Sequence, residues 1–152
     1  MQCALMPVIC QHLNPMSKIR TYSDLKTIES FEDRFQYLSL KGRVGELTFG
    51  FDRWLNQLFY NSNEWKTIRN EVIVRDSGCD LGVSGFDIHS GLLVHHMNPI
   101  TVSDIERGEE WILDPEFLIT TSHQTHNAIH YGDESLLPRG PIVRTRGDTL
   151  LW

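Results

Sequence analysis

Three features of this 152-residue chain predict an α+β fold. Apolar residues recur at helical spacing through the first half, from Phe31 to Ile73. Past Gly78 the pattern changes to short apolar runs bounded by turn residues, which read as strands. A last helical segment, His123–Tyr131, ends at Gly132. Apolar content of 40% and charged content of 22% fit one soluble globular domain, with room for a modest core and not for two.

In chain order, residues 1–15 carry a short apolar patch, Cys3 to Cys10, with no basic segment before it. A disordered extension is expected there rather than a signal peptide, because patterned sequence begins only near Met16. Removing it should leave folding unchanged, and a large drop in melting temperature on truncation would contradict this. A single domain is expected over 16–137, with a helical part at 16–75 and a strand-and-helix part at about 83–132. Ser23, Asp24 and Leu25 followed by Glu29 read as a capped short helix, and Ser30 caps a second with Phe31, Phe35 and Leu38 on one stripe. Lys41–Gly45 is a loop. Phe51, Trp54, Leu55, Leu58 and Phe59 share helical spacing, which favours core packing over a base-stacking platform. Asn61-Ser62-Asn63 caps the next helix, Glu64 to Arg75, whose inner stripe is Trp65, Ile68, Val72 and Ile73.

Asp76-Ser77-Gly78 and Val83-Ser84-Gly85 are turn signals. Phe86 to Val94 reads as a β-hairpin turning at Ser90-Gly91. Thr101 or Ser103 caps a short helix ending near Arg107, and Asp114-Pro115 opens the connection to the last helix. The tail, 138–152, carries Pro138, Gly140, Pro141 and Gly147 and is expected to be extended.

Three cysteines, two of them in the leader, give no disulfide framework, so a reducing cytoplasm is the expected setting. No apolar run approaches the roughly 20 residues of a membrane helix. The net charge of −6 is unevenly spread. From Met16 to Arg75 there are ten Lys/Arg against eight Asp/Glu, but from Asp76 to Leu137 Arg107 stands against eleven acids, a local charge of −10. Such a segment is poorly suited to gripping phosphates through many cations, which leaves the mildly positive flanks or a partner to hold nucleic acid.

Five of the seven histidines fall between Leu92 and Tyr131. His126 and His130 stand at i and i+4, so a helix places both imidazoles on one face, close enough to share one metal ion. His95 and His96 are adjacent in an apolar run that reads as a strand. A regular strand points neighbours to opposite faces, so the two divide their labour: one ligand and one base. His89 and His123 fall outside this pattern and read as surface residues. The His126-x-x-x-His130 spacing also suits a metalloprotease helix, but Asn127 stands where that chemistry needs a Glu base.

The set His95-His96, Asp114 to Thr121 and His126-x-x-x-His130 resembles the HNH endonucleases, and the stretch from about Arg20 to Trp152 is most similar to a small phage-encoded group of them. The resemblance implies a ββα-metal motif, in which a β-hairpin carries the catalytic histidine and a helix carries metal ligands. It implies His96 as general base and His95, His126 and His130 as ligands of one divalent ion. Three neutral nitrogens favour transition metals such as zinc or nickel over magnesium, which prefers oxygen, and the choice among zinc, nickel, magnesium and manganese stays open. The implied activity is hydrolysis of DNA phosphodiester bonds in the host cytoplasm, in phage DNA processing or packaging, with DNA and a terminase or other packaging protein as partners. His123, Arg69 and Arg75 are the candidates for contacting substrate. The alternative is a non-catalytic metal-binding module on the same scaffold, docking on a phage or host protein. Two positions depart from the family pattern. Phe117 stands where Asn is usual, a residue whose main-chain carbonyl orients the catalytic imidazole. Cys79-Asp80-Leu81-Gly82 and Ser122-His123-Gln124-Thr125 stand where many members have two Cys-x-x-Cys pairs around a structural zinc. No structural zinc is expected here, and packing alone is expected to hold the motif.

Overall fold

The computed structural model describes residues 19–40, 53–83, 86–88 and 90–137. The expectations for the leader, the Lys41–Gly45 loop, Phe51, Ser84, Gly85, His89 and the tail lie outside the described residues. Among the described residues the fold is mixed α+β, with six helices and two small antiparallel sheets. The helices are α1 (Tyr22–Leu25), α2 (Phe31–Leu38), α3 (Arg53–Asn61), α4 (Asn63–Arg75), α5 (Val102–Arg107) and α6 (His123–Tyr131). The strands are β1 (Cys79–Asp80), β2 (Phe86–Asp87), β3 (Leu92–His96) and β4 (Leu118–Ser122). No helix among the described residues is long and apolar enough to cross a membrane.

Local chemistry sets the helix ends. Thr21, not Ser23, caps α1 by accepting from the Asp24 amide, and Ser30 and Ser62 cap α2 and α4 in the same way. Thr101 and Asp104 form a reciprocal capping box on α5. Gly132, at φ 67°, stops α6 in a left-handed turn that a residue with a Cβ rarely adopts.

The strand pairing departs from the hairpin expected at Ser90-Gly91. β2 pairs with β1 (Cys79 opposite Asp87), and β3 pairs with β4, from Leu92 opposite Ser122 to His96 opposite Leu118. The physical reason lies in the connection between β3 and β4. Residues 97–117 fold into α5 and two 3-10 turns, Glu110–Leu113 and Pro115–Phe117, which return the chain beside β3. The second turn is capped by the Asp114 side chain and begins with proline, and β4 starts immediately after it.

The β3–β4 ribbon is buried on both faces. On one face Leu118 packs with Phe59, Trp65, Val72, Ile100 and Ile112, against α3 and α4. On the other, Ile119 packs with Leu25, Leu38, Leu40, Met97 and Ile129, where α6 lies across the strands. Leu118 and Ile119 are fully buried, and each contributes about 1.5–3 kcal/mol of transfer free energy. The stripe expected on α3 is split. Phe59 is buried and Leu55 joins the same cluster, whereas Trp54 and Leu58 are 70% and 51% exposed.

Candidate metal centre

Strand alternation separates the two adjacent histidines. His95 and Ile119 share the face under α6, while His96 and Leu118 share the face under α4. On the α6 face, the His95 ring centroid lies 5.1 Å from that of His126 and 5.0 Å from that of His130. The two α6 rings are 4.3 Å apart, as the i, i+4 spacing requires. One nitrogen from each of the three rings lies within 4.8 Å of the others. Small side-chain rotations bring such a set to the edge of about 3.4 Å expected for tetrahedral ligation at 2.0–2.1 Å.

The donor set fits a divalent ion on two grounds. His95 Nε2, His126 Nδ1 and His130 Nδ1 are each buried without a hydrogen-bond partner. A buried unpaired nitrogen is costly, and three in one cluster are what a missing ligand leaves behind. The rings are also neutral. Burial pushes His95 well below its ordinary value, lowers His126, and brings His130 to about 4. Neutral imidazole is the form that binds metal.

His96 is placed differently. Its ring stacks on Trp65 at 5.1 Å and 20°, with Phe59 at 6.1 Å. Its Nε2 lies 2.8 Å from the Ile112 carbonyl. A carbonyl only accepts, so Nε2 carries the proton and Nδ1 is left as the acceptor. Burial lowers this ring to about 4, opposed by the Ile112 hydrogen bond. The orienting carbonyl is thus Ile112, not Phe117, whose own carbonyl accepts from the Met97 amide in the strand register.

Of the three substrate-contact candidates, Arg75 is corrected. Its Nε and Nη2 donate to the Asp76 carboxylate at 2.7 and 3.1 Å, Nη1 to the Pro115 carbonyl at 2.7 Å, and Nη2 to the Leu118 carbonyl at 2.7 Å. Its guanidinium also sits 3.7 Å over the Tyr22 ring. It ties α4 to β4 and has no fork to offer a phosphate. Arg69 is half-buried on α4, the helix on the His96 side of the ribbon. His123 is exposed at the start of α6, with its Nδ1 3.3 Å from the Asn127 amide nitrogen.

Packing alone does not hold the motif. Asp80, 1% exposed, accepts from the Gly82 amide at 3.0 Å, the Ser122 amide at 2.9 Å and the Thr125 hydroxyl at 2.6 Å. Ser122 Oγ in turn caps α6 by accepting from the Thr125 amide. Residues at all the positions matched to the thiolate pairs are therefore gathered around one buried carboxylate, except Cys79, whose Sγ lies 3.4 Å from Asp87. Gly82 closes the arrangement, since a Cβ there would collide with the Thr125 methyl. The sequence reading missed Asp80: Ser122 is a local cap signal for α6, but nothing in the sequence ties it to Asp80, 42 residues upstream.

The acidic excess has a related explanation. Asp76 accepts from the Thr120 amide, the Asp104 carboxylate accepts from the Thr101 amide at the start of α5, and Asp114 and Asp133 cap 3-10 turns. Glu116 accepts from the Ser23 amide, and Glu109 pairs with Arg107. Much of the local −10 is therefore engaged with backbone donors and is not a bare acidic face.

The depressed imidazoles fix a pH dependence. Folded His96 titrates near 4 against an ordinary 6.5, so the unfolded chain takes up the proton first. Stability of the metal-free protein should be full above about 6.5 and fall as the pH drops toward 4. For the buried His96 alone the slope approaches about 1.4 kcal/mol per pH unit. Urea denaturation between pH 7 and 4 in chelator checks this, and a flat profile would contradict it.

Comparison with known protein families, with curated proteins and with solved structures gives no match for this chain.

Proposed function

We propose that this protein is a metal-dependent endonuclease of the HNH kind, hydrolysing DNA phosphodiester bonds. The observation that carries the reading is the convergence of three buried, unpartnered imidazole nitrogens from β3 and α6. A strand–strand–helix order around it, with a second histidine adjacent to the first ligand, supports the same reading. His95, His126 and His130 hold the ion. When bound, a divalent cation supplies positive charge to the non-bridging and leaving oxygens of the phosphate. His96 takes the proton of the attacking water at Nδ1, the nitrogen left as acceptor by the bond from Nε2 to Ile112. That bond also holds the ring plane. Because the ring is neutral well below pH 7, it accepts without first losing a proton. The similarity to phage-encoded members extends the proposal to DNA processing or packaging, beside a terminase.

The second reading, a metal-binding module that docks on another protein, is favoured by the enclosure of His96. That residue is 8% exposed between Trp65 and Phe59. Incubating the purified protein with supercoiled plasmid and magnesium, manganese, cobalt, nickel or zinc separates the two. Nicking or linearisation that a chelator abolishes supports the enzyme. Stoichiometric ion binding with no cleavage under any of these ions establishes the module instead.

Chelation should leave the fold standing under either reading, because Asp80 and not an ion organises the start of α6. The far-UV circular dichroism should be nearly unchanged by chelator. Unfolding on chelation would reveal a structural metal outside the triad.

A further inference from the structure

The indole of Trp65 lies flat against the imidazole of His96, with ring centroids 5.1 Å apart and 20° between the planes. Phe59 meets the same imidazole obliquely, at 6.1 Å and 47°. Trp65 is itself held in place. Its amide donates at 3.1 Å to the Ser62 hydroxyl that caps α4. Phe59 lies 5.3 Å from its ring at 40°, and Tyr60 meets it edge-on at 5.0 Å and 74°. The buried indole shares a cluster with Ile112, whose carbonyl lies 2.8 Å from His96 Nε2.

Core packing asks only for a large apolar side chain at this place, whereas a parallel stack asks for a flat one. The last torsion of a histidine side chain is broad, so the plane of the ring is weakly set by the chain itself. A flat partner against one face removes that freedom. The lone pair of a ring nitrogen lies in the ring plane, so a partner on the face holds the ring without covering either nitrogen. We propose that Trp65 is the positioning residue of the base: its indole keeps the His96 plane fixed, so that Nε2 stays on the Ile112 carbonyl and the Nδ1 lone pair keeps one direction. The indole touches neither phosphate nor ion and acts through His96. The inference rests on His96 being the base of the proposed nuclease. It also gives the enclosure of His96 a purpose, since the stacked contact is made to the face of the ring.

The experiment compares Trp65→Leu, Trp65→Phe and Val72→Ala with the wild type, by plasmid cleavage and by NMR of the metal-free protein. Val72 is fully buried in the same cluster and controls for a loosened core. Trp65→Leu is expected to lower kcat by roughly tenfold or more with KM and zinc affinity unchanged, because a misaimed base slows chemistry and not binding. Trp65→Phe keeps a flat ring and should recover most of that loss. Val72→Ala should keep kcat near the wild-type value, at a temperature where circular dichroism shows every variant folded. The hydrogen-bonded Nε2–H of His96, identified by its absence from His96→Ala, should give an NMR signal in the wild type, Trp65→Phe and Val72→Ala. In Trp65→Leu it should be lost to exchange with water. If Trp65→Leu does not fold, Trp65→Met, also without a ring, takes its place. A kcat for Trp65→Leu no lower than for Val72→Ala, an equal loss in Trp65→Phe, or a retained Nε2–H signal in Trp65→Leu would overturn the role. A wild-type protein that cleaves nothing would instead refute the nuclease reading, and the NMR comparison would still decide whether Trp65 holds the ring.

Discussion

Asp80→Ala is expected to destabilise the protein by about 3–5 kcal/mol, a large part of the stability of a domain this size. The carboxylate is 1% exposed and accepts three hydrogen bonds, from Gly82, Ser122 and Thr125. Removing it leaves two amides and a hydroxyl facing a cavity with no acceptor, and each such donor costs about 1–3 kcal/mol when buried. It also removes a negative charge from the N-terminal end of α6, where the helix dipole favours one. Asp80→Asn keeps the shape but has one acceptor oxygen, so it should lose roughly half as much. Urea denaturation at pH 7 measures both. A loss under 1 kcal/mol for the alanine variant would mean that packing, not this carboxylate, organises the start of α6. The triad should suffer too, because His126 directly follows Thr125, the residue Asp80 grips most closely.

This network shows where the sequence ceased to be legible. His126 and His130 were readable because helical spacing is local, and the division between His95 and His96 followed from strand alternation. The carboxylate was not readable because two of its three partners lie 42 and 45 residues downstream. Positions 79–82 and 122–125 could be matched to thiolate pairs, but no pattern in the sequence says that a hydrogen-bonded Asp occupies the same space. The β3–β4 pairing was hidden for a similar reason. Ser90-Gly91 is a strong local turn signal, whereas the true partner of β3 lies beyond a 21-residue connection that folds into its own helix and turns. Trp54 and Leu58 carried helical periodicity that does not reach the core. Arg75 looked like a free cation because its acceptors, the Pro115 and Leu118 carbonyls, lie 40 and 43 residues away.

The second large effect separates His96 from the triad. His96→Ala should reduce cleavage by roughly 10²-fold or more, the scale of a lost general base, while zinc affinity stays within a few-fold of wild type. The ring faces Trp65 and not the other three imidazoles, so its removal leaves the donor set intact. It also leaves a cavity beside Trp65, so stability should drop by about 2 kcal/mol and indole fluorescence should change. Assays therefore belong at a temperature where circular dichroism shows the variant folded. His126→Ala should do the reverse, weakening zinc by more than the 10–100-fold typical of an outer-sphere loss. Excess metal should then partly restore cleavage in His126→Ala and leave His96→Ala inactive. Equal loss of metal in both variants would make His96 a ligand and remove it as the base.

Calorimetric titration of the metal-free wild type with zinc at pH 7, beside His95→Ala and His126→Ala, tests the central claim most directly. The arrangement of His95, His126 and His130 predicts one ion per chain in the wild type, with release of few protons because the rings are already neutral. It predicts no comparable binding in either variant. Absence of a one-to-one isotherm in the wild type, or an unchanged one in His126→Ala, would contradict the assignment of these three histidines as a metal centre.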